Sequence, residues 1–215
     1  MPGKPRRTQE ERRTTTRKGL LDATLESLVE LGYARTTTTE VARRAGVSQG
    51  AIFNHFPTKS ALVVAATEQL FAELVAAFRT ALARGRAGED PVRAAIRRLW
   101  DVFCHPRLRA VYLLYAEAPA DAELLVALRP VVARHNANIT AFAAALFPAL
   151  EAPGLGVLLD CVVFALQGAS LQRPVHLDRA RERALLATLE QLARAALSGA
   201  APPRPVRARK KGASR

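Results

Sequence analysis

The sequence predicts an all-α fold on three observations. Alternating Val-rich runs that would mark strands are missing from its 215 residues. Long Ala/Leu/Arg/Glu stretches carry apolar residues at helical spacing, and proline and glycine punctuate those stretches. With 49% hydrophobic residues the chain can bury a real core, which excludes disordered, collagen-like and disulfide-stapled chains. The length suits one domain or two small ones, and no internal repeat is visible.

The first helix is expected from about Thr16 to Leu31, because Leu21, Leu25 and Leu28 share one face and Gly32 stands at a C-cap position. Thr37 and Glu40 have capping-box spacing and open a short second helix, with Val41, Ala42 and Ala45 facing inward and Gly46 ending it. Ser48 caps a third helix running through Ile52 to about Phe56, where Pro57 stops it. A fourth starts near Lys59 and continues to about Arg84. Asp90-Pro91, a cap followed by a first-turn proline, opens a helix to about Phe103, and His105-Pro106 breaks it. The next runs from Leu108 to Glu117. Pro119 then starts one reaching Phe147, with a kink or break at Pro130. Residues 148–154 read as a loop, followed by helices over about 155–172 and 177–197.

Lys and Arg total 32 against 19 Asp and Glu, a net charge of +13. Residues 1–18 carry +5 and residues 199–215 carry +6, so the 180 residues between them are nearly neutral at +2. Two basic ends on a neutral body suit either a polyanionic partner or solvated tails. The tail 199–215, rich in Pro, Ala and bases, reads as disordered. The N-terminus has no apolar leader, and Leu155–Leu171, interrupted by Asp160 and Gln167, reads as too short to span a membrane. Cys104 and Cys161 are far apart and unpaired in pattern. A soluble, cytoplasmic protein is expected, with no membrane partner.

Residues 37–56 read as a helix-turn-helix whose tight turn is Gly46-Val47-Ser48. A helix that enters a DNA groove needs a small, polar outer face, and Gln49, Gly50, Ala51, Asn54 and His55 supply one. Gln49 and Asn54 can pair with adenine edges. Gly50 and Ala51 leave room for close approach, while Ile52 and Phe56 are spaced to bury. Lys59 adds a cation at a helix start, where free backbone donors suit a phosphate.

Gly32-Tyr33, Thr37, Val41-Ala42, Ala45-Gly46-Val47-Ser48, Gly50, Ile52, His55-Phe56, Lys59 and Leu62 stand at the offsets of a known pattern. The stretch resembles the DNA-binding domain of the TetR family of transcriptional regulators, over residues 14–74. Phe53 stands where that family usually has a tyrosine whose hydroxyl reaches a phosphate. The resemblance also places Thr37 and Thr39, at the start of helix two, beside DNA. It divides the chain into a basic flexible arm (1–13, with Arg6, Arg7, Arg12 and Arg13), the DNA-binding domain, a helical ligand-binding and dimerisation domain (75–198) and the tail. The arm reads either as a minor-groove or phosphate contact or as a solvated end. The resemblance further implies a homodimer paired through the last two helices, a palindromic double-stranded operator and a ligand-responsive repressor. Leu158, Leu159, Val162, Phe164, Ala165 and Leu166, then Leu185, Leu189, Leu192 and Ala196, offer the apolar surface for such pairing.

Trp100, Phe103, Tyr112, Tyr115 and Phe142 could line a cavity for a small apolar ligand, or form ordinary core. Asp160 could pair with a ligand, lie in an interface, or favour a helix start. His105, His135 and His176 lack metal-ligand spacing, and neither metal nor cofactor is expected. The chain carries none of the hydrolase-elbow, phosphate-loop, zinc-protease or dinucleotide motifs, so it does not read as an enzyme. The competing reading is a helical architectural or ligand-binding protein with only non-specific DNA affinity.

Overall fold

In a computed structural model, which describes residues 8–85, 88–148 and 152–198, every regular element is helical. The order is α1 (Gln9–Arg35), α2 (Thr38–Ala45), α3 (Gln49–Phe53), α4 (Lys59–Ala83), α5 (Pro91–Phe103), α6 (Pro106–Glu117), a 3-10 turn (Ala118–Ala120), α7 (Ala122–Leu146), α8 (Ala152–Gln172) and α9 (Arg179–Leu197).

Helix α1 starts earlier than expected because Thr8 and Glu11 form a full capping box. The Glu11 N–H donates to the Thr8 hydroxyl at 3.2 Å, and the Thr8 N–H donates to Glu11 Oε2 at 2.9 Å. Arg12 and Arg13 therefore lie on the helix and not in an arm preceding it; Arg6 and Arg7 fall outside the described residues. The predicted face is buried, with Leu21, Leu25 and Leu28 at most 2% exposed. Gly32, at φ 74° and ψ 172°, breaks the helical geometry before a last turn to Arg35.

Thr37 caps α2 by accepting from the Glu40 N–H, but the reciprocal half of the expected box is replaced. The Glu40 carboxylate takes Arg43 and Arg44 instead. Gly46 ends α2 in the left-handed region (φ 66°, ψ 32°), which only glycine adopts without strain. Asp90, His105, Asp121 and Asp178 cap α5, α6, α7 and α9. Pro119 opens only the 3-10 turn, and Asp121 starts α7 behind it. Pro130 does not divide α7: it and Val126 are exposed, so solvent can take the carbonyl that the missing N–H leaves free. Helix α8 begins inside the expected loop, since a proline in the first turn forfeits no helical bond. Residues 149–151 and the tail 199–215 lie outside the described residues.

One continuous apolar core runs from Leu20 in α1 to Ala193 in α9. Helix α1 packs on α2, α4 and α6; α4 reaches on to α5 and α7; α8 and α9 pack on α5 and on each other. Two helices, Lys59–Ala83 and Gly154–Gln172, are long and apolar enough to cross a membrane, so the expectation that Leu155–Leu171 falls short does not hold. In α4 packing accounts for part of that apolarity, since Leu62, Val63, Leu70 and Phe71 are at most 3% exposed.

Candidate functional site

Helices α1 to α3 and the start of α4 form a head at one end of the chain. Val41, Ile52 and Phe56, each at most 4% exposed, hold α2 against α1 and α3 against α2. Arg17 of α1 lies over the Phe56 ring at 5.2 Å. With that inner face anchored, Gln49, Gly50, Phe53 and Asn54 are exposed together, and Ala51 and His55 are partly exposed beside them. Thr39 is exposed as well, while Thr37 is exposed with its hydroxyl engaged as the α2 cap.

Helix α3 is shorter than predicted. It ends at Phe53, because Pro57 disfavours helical geometry at the residue before it and the chain tightens into a turn. The His55 and Phe56 N–H groups both donate to the Ile52 carbonyl at 2.8 Å. Asn54 and His55 thus sit on that turn and not on helix. At Gly50, an added Cβ would meet nothing within 4 Å, so packing inside the chain does not require glycine there.

Electrostatics sort the bases of the head into two groups. Arg43 and Arg44 are committed to acids: Arg44 reaches Glu30 and Glu40 at 2.6 Å each, and these arginines hold the Glu40 carboxyl down at about 2. Arg13 and Arg17 are not drawn inward in this way and flank α3 closely enough to act on His55. Partial burial first, and then those two cations, keep the His55 imidazole below its ordinary pKa. It is neutral at pH 7 and offers one donor and one acceptor. Sequence reading did not single out Arg17, although its four-residue spacing from Arg13 places both on one face of α1.

Lys59 departs from expectation. Its ammonium donates to the Tyr33 carbonyl at 2.7 Å and lies 3.9 Å from the Tyr33 ring centroid, so it ties α4 to the end of α1 and is not free to reach outward. The Tyr33 hydroxyl in turn donates to Asp121 Oδ2 at 2.6 Å, which joins the head to the α7 cap. Burial, then Asp121, pushes that phenol up to about 12.

A cavity of about 220 Å³ lies between α4, α5, α6, α7 and α8. Phe103, Tyr112, Tyr115, Phe142 and Asp160 line it, as the cavity alternative anticipated. Trp100 does not. It is 5% exposed and donates its indole N–H to Glu182 at 2.9 Å, so it joins α5 to α9 as core. Sequence reading missed Leu74 and Phe78 on α4 and His135, Ile139 and Asn136 on α7. Their signal was the i, i+4 spacing of Leu74/Phe78 and His135/Ile139, which puts each pair on one helix face. His135 stacks on Phe71 at 3.9 Å, and burial lowers its pKa from 6.5 to about 4. Between those values the unfolded chain binds the proton that the folded chain refuses, so stability rises with pH across the window and is lost as pH falls through it. Thermal melts between pH 7 and pH 4.5 are expected to show that loss, and His135→Gln is expected to lessen its slope; an unchanged slope would remove His135 as the cause.

The profile of the family described as "Bacterial regulatory proteins, tetR family" matches residues 20–66, which cover most of the head. Beyond the head, the chain is 31% identical over 174 residues to the uncharacterized HTH-type transcriptional regulator Rv2912c of Mycobacterium tuberculosis, spanning 79% of this chain and 88% of that protein. The chain belongs to the TetR family of transcriptional regulators. A second relative is the HTH-type transcriptional regulator CymR of Pseudomonas putida, 32% identical over 131 residues (61% of this chain, 64% of that protein). Solved structures share the fold. The multidrug binding protein EbrR complexed with imidazole has a TM-score of 0.61 at 26% identity, covering 89% of this chain and 98% of its own. A transcriptional regulator from Rhodococcus sp. Rha1 has a TM-score of 0.65 at 22% identity, covering 87% and 99%. For a TetR-family regulator the head is the DNA-binding element, and the all-α frame behind it is the shared scaffold.

Proposed function

We propose that the chain is a ligand-responsive repressor that binds a palindromic operator as a homodimer in the cytoplasm. The observation that carries this reading is the small, polar, outward surface of the head. Gly50 is open with no packing reason for glycine, Gln49 and Asn54 flank it, and Arg13 and Arg17 stand beside it. In this reading residues 14–74 form the DNA-binding domain and 75–198 the ligand and dimer domain. Gln49, Asn54 and His55 read base edges, Gly50 and Ala51 allow approach, and Thr37, Thr39, Phe53, Arg13 and Arg17 pack on the sugar–phosphate backbone. Lys59 acts indirectly, by fixing α4 against α1.

Val157, Cys161 and Phe164 form an exposed stripe on α8, joined by Leu192 on α9 at 59% exposure. A single chain has no use for that apolar face, and a second copy would cover it. Helix α4 runs unbroken from the head to the cavity wall, and α6, which supplies Tyr112 and Tyr115 to the cavity, packs on α1. A ligand that binds one arrangement of these helices better than the other would shift the spacing of the paired heads.

Fluorescence anisotropy with DNA from upstream of the protein's own gene and with shuffled DNA, at several salt concentrations, tests the reading. Tight, sequence-dependent binding is expected. The variant Arg13→Ala/Arg17→Ala should flatten the log–log salt dependence by about 0.9 for each phosphate that is no longer neutralised. Equal, weak, salt-sensitive binding to both DNAs, and to sites enriched from a random library, would leave only non-specific affinity and defeat the repressor reading.

A further inference from the structure

We infer that the cavity takes an uncharged aromatic molecule bearing a single oxygen acceptor, held by ring stacking and by the phenol hydroxyls of Tyr112 and Tyr115. The inference rests on reading the cavity as the ligand site of the regulator. Four observations carry it.

The first is shape. Phe103 and Tyr112 lie nearly parallel, 5.7 Å apart at 15°, and Tyr115 meets Tyr112 edge-on at 5.6 Å and 69°. These rings make a flat wall with a perpendicular side. Phe142, which also lines the cavity, is steadied by an edge contact with Phe78 and by Arg79 over its ring at 4.6 Å. A planar ring system stacks against such walls better than a flexible chain does.

The second is an unanswered donor. Tyr112 is only 9% exposed and lines the cavity, and its hydroxyl has no hydrogen-bond partner among the described residues. The Tyr115 hydroxyl likewise has no hydrogen-bond partner among the described residues. Burial raises the pKa of both phenols, so each remains a proton donor at neutral pH. Neither hydroxyl is sealed off from solvent, so each is a donor open to the cavity that a ligand oxygen can accept from.

The third is charge. Among the described residues, no lysine or arginine lines the cavity, and Arg79 stands behind the Phe142 ring, so an anion would be desolvated without a counter-ion in contact. His135, which also lines the wall, is held neutral by burial. The fourth is the placement of the carboxylate on the wall. Asp160 is the one charged side chain among the described residues that line the cavity; it repels an anion, and its exposure in the single chain screens its pull on a cation.

Calorimetric titration of the full chain with four naphthyl probes separates these possibilities. The probes are naphthalene, 2-acetylnaphthalene, 2-naphthoate and (2-naphthylmethyl)trimethylammonium. The ketone is expected to bind tightest. Tyr112→Phe/Tyr115→Phe should reduce its affinity by about five-fold, the worth of one net hydrogen bond, while naphthalene affinity stays unchanged. Melting curves of the variant verify that the rings still pack. Tightest binding of the carboxylate or the ammonium, no binding of any probe, or a ketone preference that survives in the double variant would each overturn the assignment. The operator titration on the same protein is read separately. Specific DNA binding with a failed probe series overturns the ligand class alone, whereas loss of specific DNA binding defeats the repressor reading.

Discussion

Gly50→Glu is expected to abolish specific operator binding while leaving the fold intact. The new side chain meets no protein atom at Cβ, so melting temperature and helicity should stay close to the parent. At the DNA surface the same carboxylate would face phosphates and fill the space that close approach requires. A wrong contact in a recognition site costs about 1–3 kcal/mol, and a two-fold dimer carries it twice, so the loss is roughly 30-fold to 20,000-fold in affinity. Anisotropy against the operator, with circular dichroism as the fold control, measures it. Undiminished affinity would remove α3 from the DNA interface and transfer the reading to another face of the head. Gly50→Ala serves as a milder companion, since it adds bulk without charge.

Val157→Glu/Leu192→Glu is expected to leave a folded monomer that no longer binds the palindrome tightly. Both side chains are more than half exposed in the single chain, at 65% and 59%, so replacing them removes little internal packing. Across a two-fold axis each substitution acts twice. At roughly 1 kcal/mol for each half-buried aliphatic group removed, the dimer weakens by about 4 kcal/mol, close to a thousand-fold, before the cost of burying carboxylates is added. Sedimentation over a concentration series reads the dissociation constant directly. Val157 and Leu192 do not line the cavity, so the variant tests pairing without disturbing the ligand wall. A dimer of unchanged strength would mean that another surface pairs the chains.

The helix-turn-helix was legible in the sequence because its signals are short in range. Thr37, Gly46 and Ser48 act on backbone groups within a few residues, and Val41, Ile52 and Phe56 are buried as their spacing requires. The start of α1 was less legible although its capping box stands at Thr8 and Glu11, because a run of bases and threonines masks an ordinary helix start. Lys59 misleads for the opposite reason. Its position is conventional, but the group that captures its ammonium is the Tyr33 carbonyl, brought close only when α1 and α4 pack. Trp100 shows the same limit: one face of α5 looks toward the cavity and another toward α9, and a set of aromatic residues in sequence does not distinguish them.

Local signals along the chain are enough for the helical class, nearly every helix boundary within a turn, the head motif and the family to which the chain belongs. Those features depend on caps, helical periodicity and residue order, which are local in the chain. Which aromatic rings share a cavity, which arginines beside α3 pair with acids among the described residues, and how Lys59, Tyr33 and Asp121 join the head to the body all follow from packing. Each depends on groups far apart in sequence. Tyr33 and Asp121 meet at 2.6 Å across 88 positions, and Trp100 and Glu182 at 2.9 Å across 82. Contacts of that kind exist only once helices pack, because packing sets which side of each helix is left to face a partner.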